Sequence, residues 1–383
     1  MAGYRRELRR GTGRNCAGVQ AGTASKVRQE RRQSTGGSRS AFGPVPGAAA
    51  GQTLTSRRHP LYCTQPMKIN HKLKYALVLS GGGARGLVHT GFICALEEAG
   101  YPPPSLIAGT SMGAIIGGLY ASGMNGLAQK RYVMEEVDIA NFMESPVFKM
   151  NGPIGKLIQT GQIIGHAATN PGIDPGNKVL RLLEKLTNYK RIEDCAIPFL
   201  CNAVDICAGR EVVFRSGSLA RAIRASMSFP FIFEPLIEGE QCFVDGGVVD
   251  NIPIQIAREA AKPLGIRRIL AVNTRRWKAV PGASLKHGLS VVMRCIDAMI
   301  HISELEEERR EAAPNLMVHI SDRTSVFDFS RKRELMELGK AAAEQSRAEL
   351  DAFFRAGWRG LMPRRKACGM ELEDYYGGSH GAV

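Results

Sequence analysis

Two successive units, each an apolar strand followed at once by a glycine turn and a helix, constrain the fold of this chain most strongly. The first unit runs from residues 75–80 through a glycine loop at 81–86 into a helical pattern that stops at Gly100. The second runs from 105–108 through the turn 109–113 into another short helix. Strands that alternate with helices in this way lie parallel in one sheet. The sequence therefore predicts an α/β fold.

The turn of the second unit has the pattern of a nucleophile elbow. Residues 109–113 read Gly-Thr-Ser-Met-Gly between an apolar strand and a helix. In that context a tight turn projects the hydroxyl of Ser111, while the small Gly109 and Gly113 relieve crowding. The alternative is a helix N-cap, in which Ser111 or Thr110 accepts amide hydrogen bonds from the next turn. The pentapeptide alone does not separate the two.

The glycine loop of the first unit favours the catalytic interpretation. Its residues are Gly81, Gly82, Gly83, Ala84, Arg85 and Gly86. They satisfy the dinucleotide pattern G-x-G-x-x-G, but the next strand ends without the acid that such a site uses, and no Lys-Ser/Thr follows as in a P-loop. The backbone N–H groups of the loop, with Arg85 beside them, form an anion cradle at a helix N-terminus. Opposite a serine nucleophile this cradle would be an oxyanion hole, the alternative being a plain strand–helix turn.

A serine nucleophile needs a base, and Asp245 is the best candidate. It ends an apolar run, and Gly246 and Gly247 after it allow another backbone to approach closely. The alternative is an Asx-turn, which Asp-Gly favours. The late histidines lie in no glycine-rich loop after a strand, and His89 sits on a helix where packing is the commoner role; the late ones are His287, His301 and His319.

The segments 81–86, 109–113 and 245–247 together resemble the patatin-like phospholipase family, and 225–235 resembles a further block of it. Their order and spacing agree over about residues 74–275, and we expect the small single-domain bacterial members to be the most similar. The resemblance implies a three-layer α/β/α fold around a mostly parallel sheet. It also implies a Ser111–Asp245 dyad without histidine that hydrolyses lipid acyl esters. We expect no cofactor. The alternatives are a lipid acyltransferase and a non-enzymatic module that binds phosphate or lipid.

An apolar segment around Pro230 is a candidate for contact with lipid. Its large members are Phe229, Phe231, Ile232 and Phe233. They could line an acyl channel or meet a membrane surface, and core packing of a strand is the alternative. The charged stretches 304–310 and 331–350 are typical of solvated helices.

The positive charge of the chain lies mostly in its first 66 residues. The formal charge is +15, and residues 1–66 carry 12 Lys and Arg against 2 acids. This segment is a disordered basic tail that touches anionic lipid or nucleic acid, a transit peptide, or an over-called start with translation from Met67. Because the body is only mildly basic, we expect no nucleic-acid binding and at most a peripheral contact with anionic membranes. We expect a catalytic domain over 67–330, and a C-terminal helix with a loose tail over 331–383.

The cysteines and the apolar runs bear on the compartment. The chain has 9 cysteines and no Cys-x-x-Cys pair, which favours a reducing compartment and no metal site. No apolar run approaches the roughly 20 residues that span a bilayer. We therefore expect a cytoplasmic protein, peripheral to membranes at most.

Overall fold

The structure is a computed structural model that describes residues 72–137, 143–144, 171–274, 280–286, 288–309, 314–326, 328–355, 357 and 361–368. The strands are β1 Tyr75–Leu79, β2 Leu106–Gly109, β3 Gly172–Asp174, β4 Phe199–Asp205, β5 Arg210–Phe214, β6 Phe231–Phe233, β7 Leu236–Glu238, β8 Gln241–Asp245, β9 Arg268–Asn273, β10 Leu316–Ile320 and β11 Arg364–Cys368. The α-helices are α1 Val88–Glu98, α2 Met112–Ala121, α3 Gly126–Glu135, α4 Asn177–Leu186, α5 Leu219–Ser226, α6 Ile254–Ala261, α7 Gly288–Arg309, α8 Lys332–Gln345 and α9 Arg347–Phe354. The predicted tail, 1–66, lies outside the described residues.

Within the described residues, nine strands form one mixed sheet in the order β11-β10-β9-β1-β2-β4-β8-β7, with β5 also paired to β4. Neighbours from β11 to β4 are parallel. The pairs β4–β5, β4–β8 and β7–β8 are antiparallel. The strands β3 and β6 form a separate two-stranded pair. The prediction of a mostly parallel sheet is confirmed.

Helices cover both faces of the sheet, because successive side chains of a strand point to opposite sides. In β1, Leu77 and Leu79 pack into one core with residues of α1, α2, α5 and α8. Ala76 and Val78 pack into a second core with α6. All four side chains are buried, which explains why β1 reads as a continuous apolar run. The arrangement has three layers, α/β/α, as the family resemblance implied.

The strand register brings the predicted motifs to one edge of the sheet. Leu79, which ends β1, pairs with Gly109 at the end of β2, so the glycine loop and the elbow leave the sheet side by side. Gly109 also pairs with Cys201 of β4. Two residues further along β4, Ala203 pairs with Asp245 of the antiparallel strand β8. Asp245 therefore lies at the same edge of the sheet, two residues of β4 beyond the level of Gly109.

The C-terminal part of the described chain is built into this body. The sequence pattern predicts solvated helices and a loose tail here, yet α8 packs closely on α1 and β11 extends the sheet beside β10. A Cβ on Gly91 would overlap the carbonyl oxygen of Met336, and one on Gly339 would overlap that of Val88. Two helix backbones approach this closely only where side chains are absent. The pattern missed β11 because its sequence, Arg-Arg-Lys-Ala-Cys, lacks strand character.

Candidate active site

The elbow holds Ser111 in a strained backbone conformation. Its φ and ψ angles are 54° and −119°, a region that L side chains rarely adopt. Such a conformation costs on the order of 1–3 kcal/mol and persists only where the surroundings fix it. Here the Ser111 N–H donates to Oγ of Ser226 at 3.0 Å, and the Gly113 N–H donates to the carbonyl of Thr110 at 2.8 Å. The alternative of an N-cap finds no support, since the Ser111 side chain makes no capping hydrogen bond to α2.

The two glycines of the elbow have physical reasons to be glycine. A Cβ on Gly109 would overlap the carbonyl of Gly113, and a Cβ on Gly113 would overlap the carbonyl of Leu79. In both cases the obstacle is backbone that cannot rotate away. The turn can thus close over the end of β1 only with glycine at 109 and 113, and this closure carries Ser111 into the cavity described below.

Asp245 ends β8 and is almost completely buried, with 1% of its surface exposed. The Ser111 side chain lies next to its carboxylate, and the Gly247 N–H donates to Oδ1 at 2.8 Å. Burial raises the pKa of Asp245 from its usual 3.8 to about 7, although its interactions with Ser111 and with the Gly247 amide oppose the shift. The Asx-turn offered as an alternative is present as well, so Asp245 both shapes its turn and contacts the serine.

The glycine loop divides into amides that hold the loop and amides that remain available. The Gly81 N–H donates to the carbonyl of Asn251 at 3.0 Å, and the Ala84 N–H donates to that of Val326 at 2.7 Å. Within the described part of the chain, the amides of Gly82 and Gly83 have no acceptor. Both residues line the same cavity as Ser111 and Asp245.

The remaining loop residues serve packing and the cavity wall. Gly83 has a φ of 56°, the left-handed region that favours glycine. A Cβ on Gly86 would overlap the side chain of Met112, so Gly86 allows the loop to pack on the start of α2. Arg85 also lines the cavity.

A buried polar network that the sequence motifs did not reveal connects the elbow to the aspartate turn. The Thr110 hydroxyl donates to Oδ1 of Asn202 at 2.7 Å, and Nδ2 of Asn202 donates to the carbonyl of Asp250 at 2.8 Å. Asn202 also fills the space beside Gly246, where a Cβ would lie 2.5 Å from its side chain. The one signal in the sequence is an asparagine within the otherwise apolar run 199–204 of β4.

A second connection joins the glycine loop to α7. Nδ2 of Asn251, whose carbonyl receives the Gly81 amide, donates to Oε1 of Glu304 at 2.7 Å. On the other side of the loop, the Thr274 hydroxyl donates to the carbonyl of Gly81 at 2.9 Å. Glu304 is buried, so the expectation that the stretch 304–310 is a solvated face was wrong at this residue.

The histidines that the sequence offered occupy other places. His89 is fully buried, with Nε2 at 2.9 Å from the carbonyl oxygen of Ser80. Burial lowers its pKa to about 4, although the contact with Ser80 opposes the shift. His319 lies in β10, where it pairs with Asn273, and His301 lies on α7. His287 lies outside the described residues.

Ser111 and Asp245 line a largely apolar cavity of about 310 Å³. Three of the four members of the predicted apolar segment line it: Phe229, Ile232 and Phe233. Phe231 instead pairs with Gly172 in the small sheet and has a φ of 71°. The other apolar side chains of the wall are Leu87, Met112, Ile115, Ile116, Leu119, Met124, Val133, Val137, Met143, Val179, Leu182, Leu183, Leu186, Met227, Met293, Ile300, Val326 and Phe329.

The described residues were searched for possible metal-binding groups, and their cysteines were compared for pairing and burial. No group of three or more His, Cys, Asp or Glu side chains that could hold a metal ion is found among them. The cysteines within these residues are free thiols, of which Cys201 is buried in β4. Of the helices described, none is both long and apolar enough to cross a bilayer.

The sequence of this site can be compared with models of known protein families. Residues 77–258 match the sequence model of the family described as Patatin-like phospholipase. This segment is therefore similar to a patatin-like phospholipase domain. The match includes the glycine loop, the elbow and the Asp245 turn, while β9 to β11 and α7 to α9 lie outside it.

Curated relatives of this patatin-like domain are much longer proteins. Human "Patatin-like phospholipase domain-containing protein 6" is 32% identical over 200 residues, which are 52% of this chain and 13% of that protein. "Lysophospholipase nte1" of Emericella nidulans is 33% identical over 328 residues, which are 77% of this chain and 20% of that protein. Among solved structures, VipD from Legionella pneumophila matches with a TM-score of 0.40 and 16% identity, over 74% of this chain and 67% of that one.

Proposed function

We propose that this protein is a serine hydrolase that cleaves acyl ester bonds of lipids or phospholipids through a Ser111–Asp245 dyad. The observation that carries the proposal is that the Ser111 side chain lies next to the buried Asp245 carboxylate. Both residues line an apolar cavity together with Gly82 and Gly83, whose amides have no acceptor within the described part of the chain. Nucleophile, base, oxyanion donors and room for an apolar substrate are thus combined in one place.

The reaction follows from these positions. Oγ of Ser111 attacks the carbonyl carbon of the ester while its proton moves to Asp245, and the amides of Gly82 and Gly83 stabilise the oxyanion. The ester C–O bond then breaks, and the leaving alcohol takes the proton from Asp245. Water attacks the acyl-enzyme in the same way and releases the fatty acid. A carboxylate is a weak base for serine, and a pKa raised to about 7 by burial makes Asp245 a stronger one near neutral pH.

The substrate proposal rests on the wall of the cavity. Its lining is almost entirely aliphatic, aromatic and thioether side chains, which favour an acyl chain over a polar group. A volume of about 310 Å³ is at the small end of ligand pockets, which span roughly 300–1,000 Å³. One acyl chain fits such a volume better than two. This agrees with the name lysophospholipase borne by the Emericella relative.

The deciding experiment is replacement of the nucleophile. Ser111→Ala should abolish both hydrolysis of a lysophospholipid and labelling by a fluorophosphonate probe. Ser284→Ala is the matched control, because Ser284 is an exposed serine outside the cavity, and this variant should keep both. Hydrolysis that persists in Ser111→Ala would refute the dyad. Absence of labelling in the unchanged protein would favour a non-enzymatic module, and acceptor alcohols that outcompete water would favour an acyltransferase.

The proposal includes contact between α7 and a lipid surface. One face of α7 lines the cavity with Met293, Asp297 and Ile300, while Met299 and Ile302 are exposed on the other side. Val291 and Val292 are exposed as well. The helix therefore presents apolar side chains both to the cavity and to solvent, as a helix that lies at a membrane interface does. This apolar contact is proposed in addition to the expected peripheral contact with anionic membranes.

A further inference from the structure

Two cysteines that are far apart in the sequence lie side by side at the end of β4. Cys207 belongs to the turn between β4 and β5, and Cys242 is the second residue of β8. The thiol of Cys242 lies next to the thiol of Cys207. Both are free thiols, and the proposed hydrolysis uses neither of them.

The backbone holds these two cysteines together independently of their side chains. The N–H of Ile206, in the same turn as Cys207, donates to the carbonyl of Cys242 at 2.9 Å. Oδ1 of Asp205 accepts the amide of Cys207 at 3.2 Å and that of Cys242 at 3.3 Å. Since both amides reach one oxygen, their nitrogens are within about 6.5 Å of each other, a separation comparable to the roughly 4.4–6.8 Å between the Cα atoms of a disulfide.

Both thiols can be reached by small molecules from solvent. Cys207 is exposed and Cys242 is half-buried, unlike the buried thiol of Cys201. Burial, the neighbouring Cys207 thiol and the Asp205 carboxylate raise the pKa of Cys242. An external oxidant therefore meets Cys207 first, and Cys242 is placed to complete a bond to it.

We infer that Cys207 and Cys242 form a reversible disulfide bond when the protein meets a low-molecular-weight disulfide such as oxidised glutathione. The Cys207 thiolate attacks one sulfur of the small disulfide, whose S–S bond breaks and releases the first thiolate. The Cys242 thiolate then attacks the Cys207 sulfur and releases the second. Each released thiolate takes up one of the two protons that the cysteines lose. The cysteine pair is thus oxidised by two electrons, and the small disulfide is reduced to two thiols.

This modification is independent of the proposed hydrolysis and acts on the fold. The bond would join the β4–β5 turn covalently to β8, the strand that ends at Asp245. It would close a loop of about 36 residues, which lowers the entropy of the unfolded chain. We therefore expect the oxidised protein to have a Tm about 5 °C above that of the reduced protein. In the reducing compartment that the cysteine content favours, the thiol pair is the resting form.

The test is oxidation of the folded full chain in buffers of reduced and oxidised glutathione. Remaining thiols are blocked with N-ethylmaleimide before digestion with trypsin. Cys207 then lies in the peptide 192–210 and Cys242 in the peptide 225–258, so mass spectrometry detects the bond as a link between these two peptides. We expect the linked fraction and the Tm to rise together with the share of oxidised glutathione, and dithiothreitol to reverse both.

Cys207→Ser and Cys242→Ser should each abolish the link and the rise in Tm, while the Tm of the reduced variants shows that they are folded. Cys195→Ser is the matched control, because Cys195 is half-buried and lies in the same tryptic peptide as Cys207; this variant should keep the link.

Absence of the link at the highest share of oxidised glutathione would overturn the inference, as would glutathione attached to Cys207 without a link. A link that survives in Cys207→Ser would overturn it as well, because another cysteine of the peptide would then be the partner. None of these measurements depends on hydrolysis, so failure of the proposed function leaves them unchanged.

Discussion

At the scale of single residues, the burial of Asp245 determines how the proposed activity responds to pH. The carboxyl must be ionised to accept the serine proton, and its pKa is raised to about 7. We therefore expect kcat/KM for a soluble short-chain ester to rise with pH and to level off above a midpoint near 7. A pH series from about 5 to 9 measures this midpoint. A midpoint near 4, the usual range of a carboxyl group, would contradict the role of Asp245 as a buried base.

The same burial predicts that Asp245 weakens the fold at alkaline pH. The folded protein binds this proton more tightly than the unfolded chain does, so the free energy of unfolding falls as pH rises from about 4 to 7. Asp245→Asn removes the buried charge and leaves an oxygen for the Gly247 amide. We expect this variant to be inactive, yet more stable than the unchanged protein at pH 8 by on the order of 1–4 kcal/mol.

Urea unfolding at pH 5 and pH 8 measures this difference, which should shrink at the lower pH. Asp205→Asn is the control, for which the expected change in the free energy of unfolding has the opposite sign. Desolvation raises the pKa of Asp205, but amide hydrogen bonds from Cys242, Ala208 and Cys207 outweigh it, so that the pKa is lowered. Neutralising it should destabilise the protein at pH 8. A loss of stability in Asp245→Asn at pH 8 would mean that its hydrogen bonds outweigh its desolvation.

At the scale of elements, the elbow depends on two backbones touching. Gly113→Ala would drive a Cβ into the Leu79 carbonyl, and we expect it to lower the free energy of unfolding by about 1–3 kcal/mol and to reduce activity sharply. Gly282→Ala is the matched control, because a Cβ there meets nothing and no positive φ is required. It should change stability by less than about 0.5 kcal/mol. Denaturant unfolding of both variants checks this, and equal effects would show that the close approach is unimportant.

The elements of the site were predictable from sequence where the information is local. The glycine loop, the elbow at Ser111 and the Asp245 turn each occupy a few consecutive residues whose types fix their geometry. The partners that hold them come from distant parts of the chain. Asn202 and Gln129 each look like an isolated polar residue in a patterned stretch, and only the packing of β4 against the Asp250 loop, or of α3 against α2, shows what they contact.

The exposed face of α7 carries a prediction about lipid surfaces. Ile302 is 57% exposed. Burying its side chain in the membrane would contribute about 1.5–3 kcal/mol to the free energy of binding. Replacement by glutamate removes this contribution and adds a charge. Ile302→Glu should thus weaken co-sedimentation with phosphatidylcholine vesicles at least about tenfold and leave hydrolysis of a dissolved short-chain ester unchanged. Ile237→Glu is the control, since Ile237 is 68% exposed but lies on β7. Equal weakening by both variants would mean that α7 is not the contact surface.

At the scale of the whole molecule, the C-terminal residues complete the body instead of trailing from it. The described residues up to 368 belong to one compact unit with the sheet. The guanidinium of Arg268, at the start of β9, binds the carbonyls of Phe353, Arg355 and Gly357. Phe353 and Phe354 pack edge-on against Tyr75 of β1. The core of the matched segment, which ends at residue 258, is therefore completed by strands and helices that follow it in the sequence.

A chain that ends at residue 330 is consequently expected to lose its cooperative fold, although the sequence pattern places a domain boundary there. It would lack α8, α9 and β11, uncover the face of α1 around Val88 and Phe92, and leave the Arg268 guanidinium without the three carbonyls that it binds. Removing paired groups from a buried charge typically costs several kcal/mol, which is comparable to the whole stability of a domain. Thermal melting followed by circular dichroism tests this, with a chain that starts at Met67 and keeps residue 383 as the control. The control should melt cooperatively like the full chain. A cooperative transition in the chain ending at 330 would instead establish 331–383 as an appendage to an independent catalytic domain.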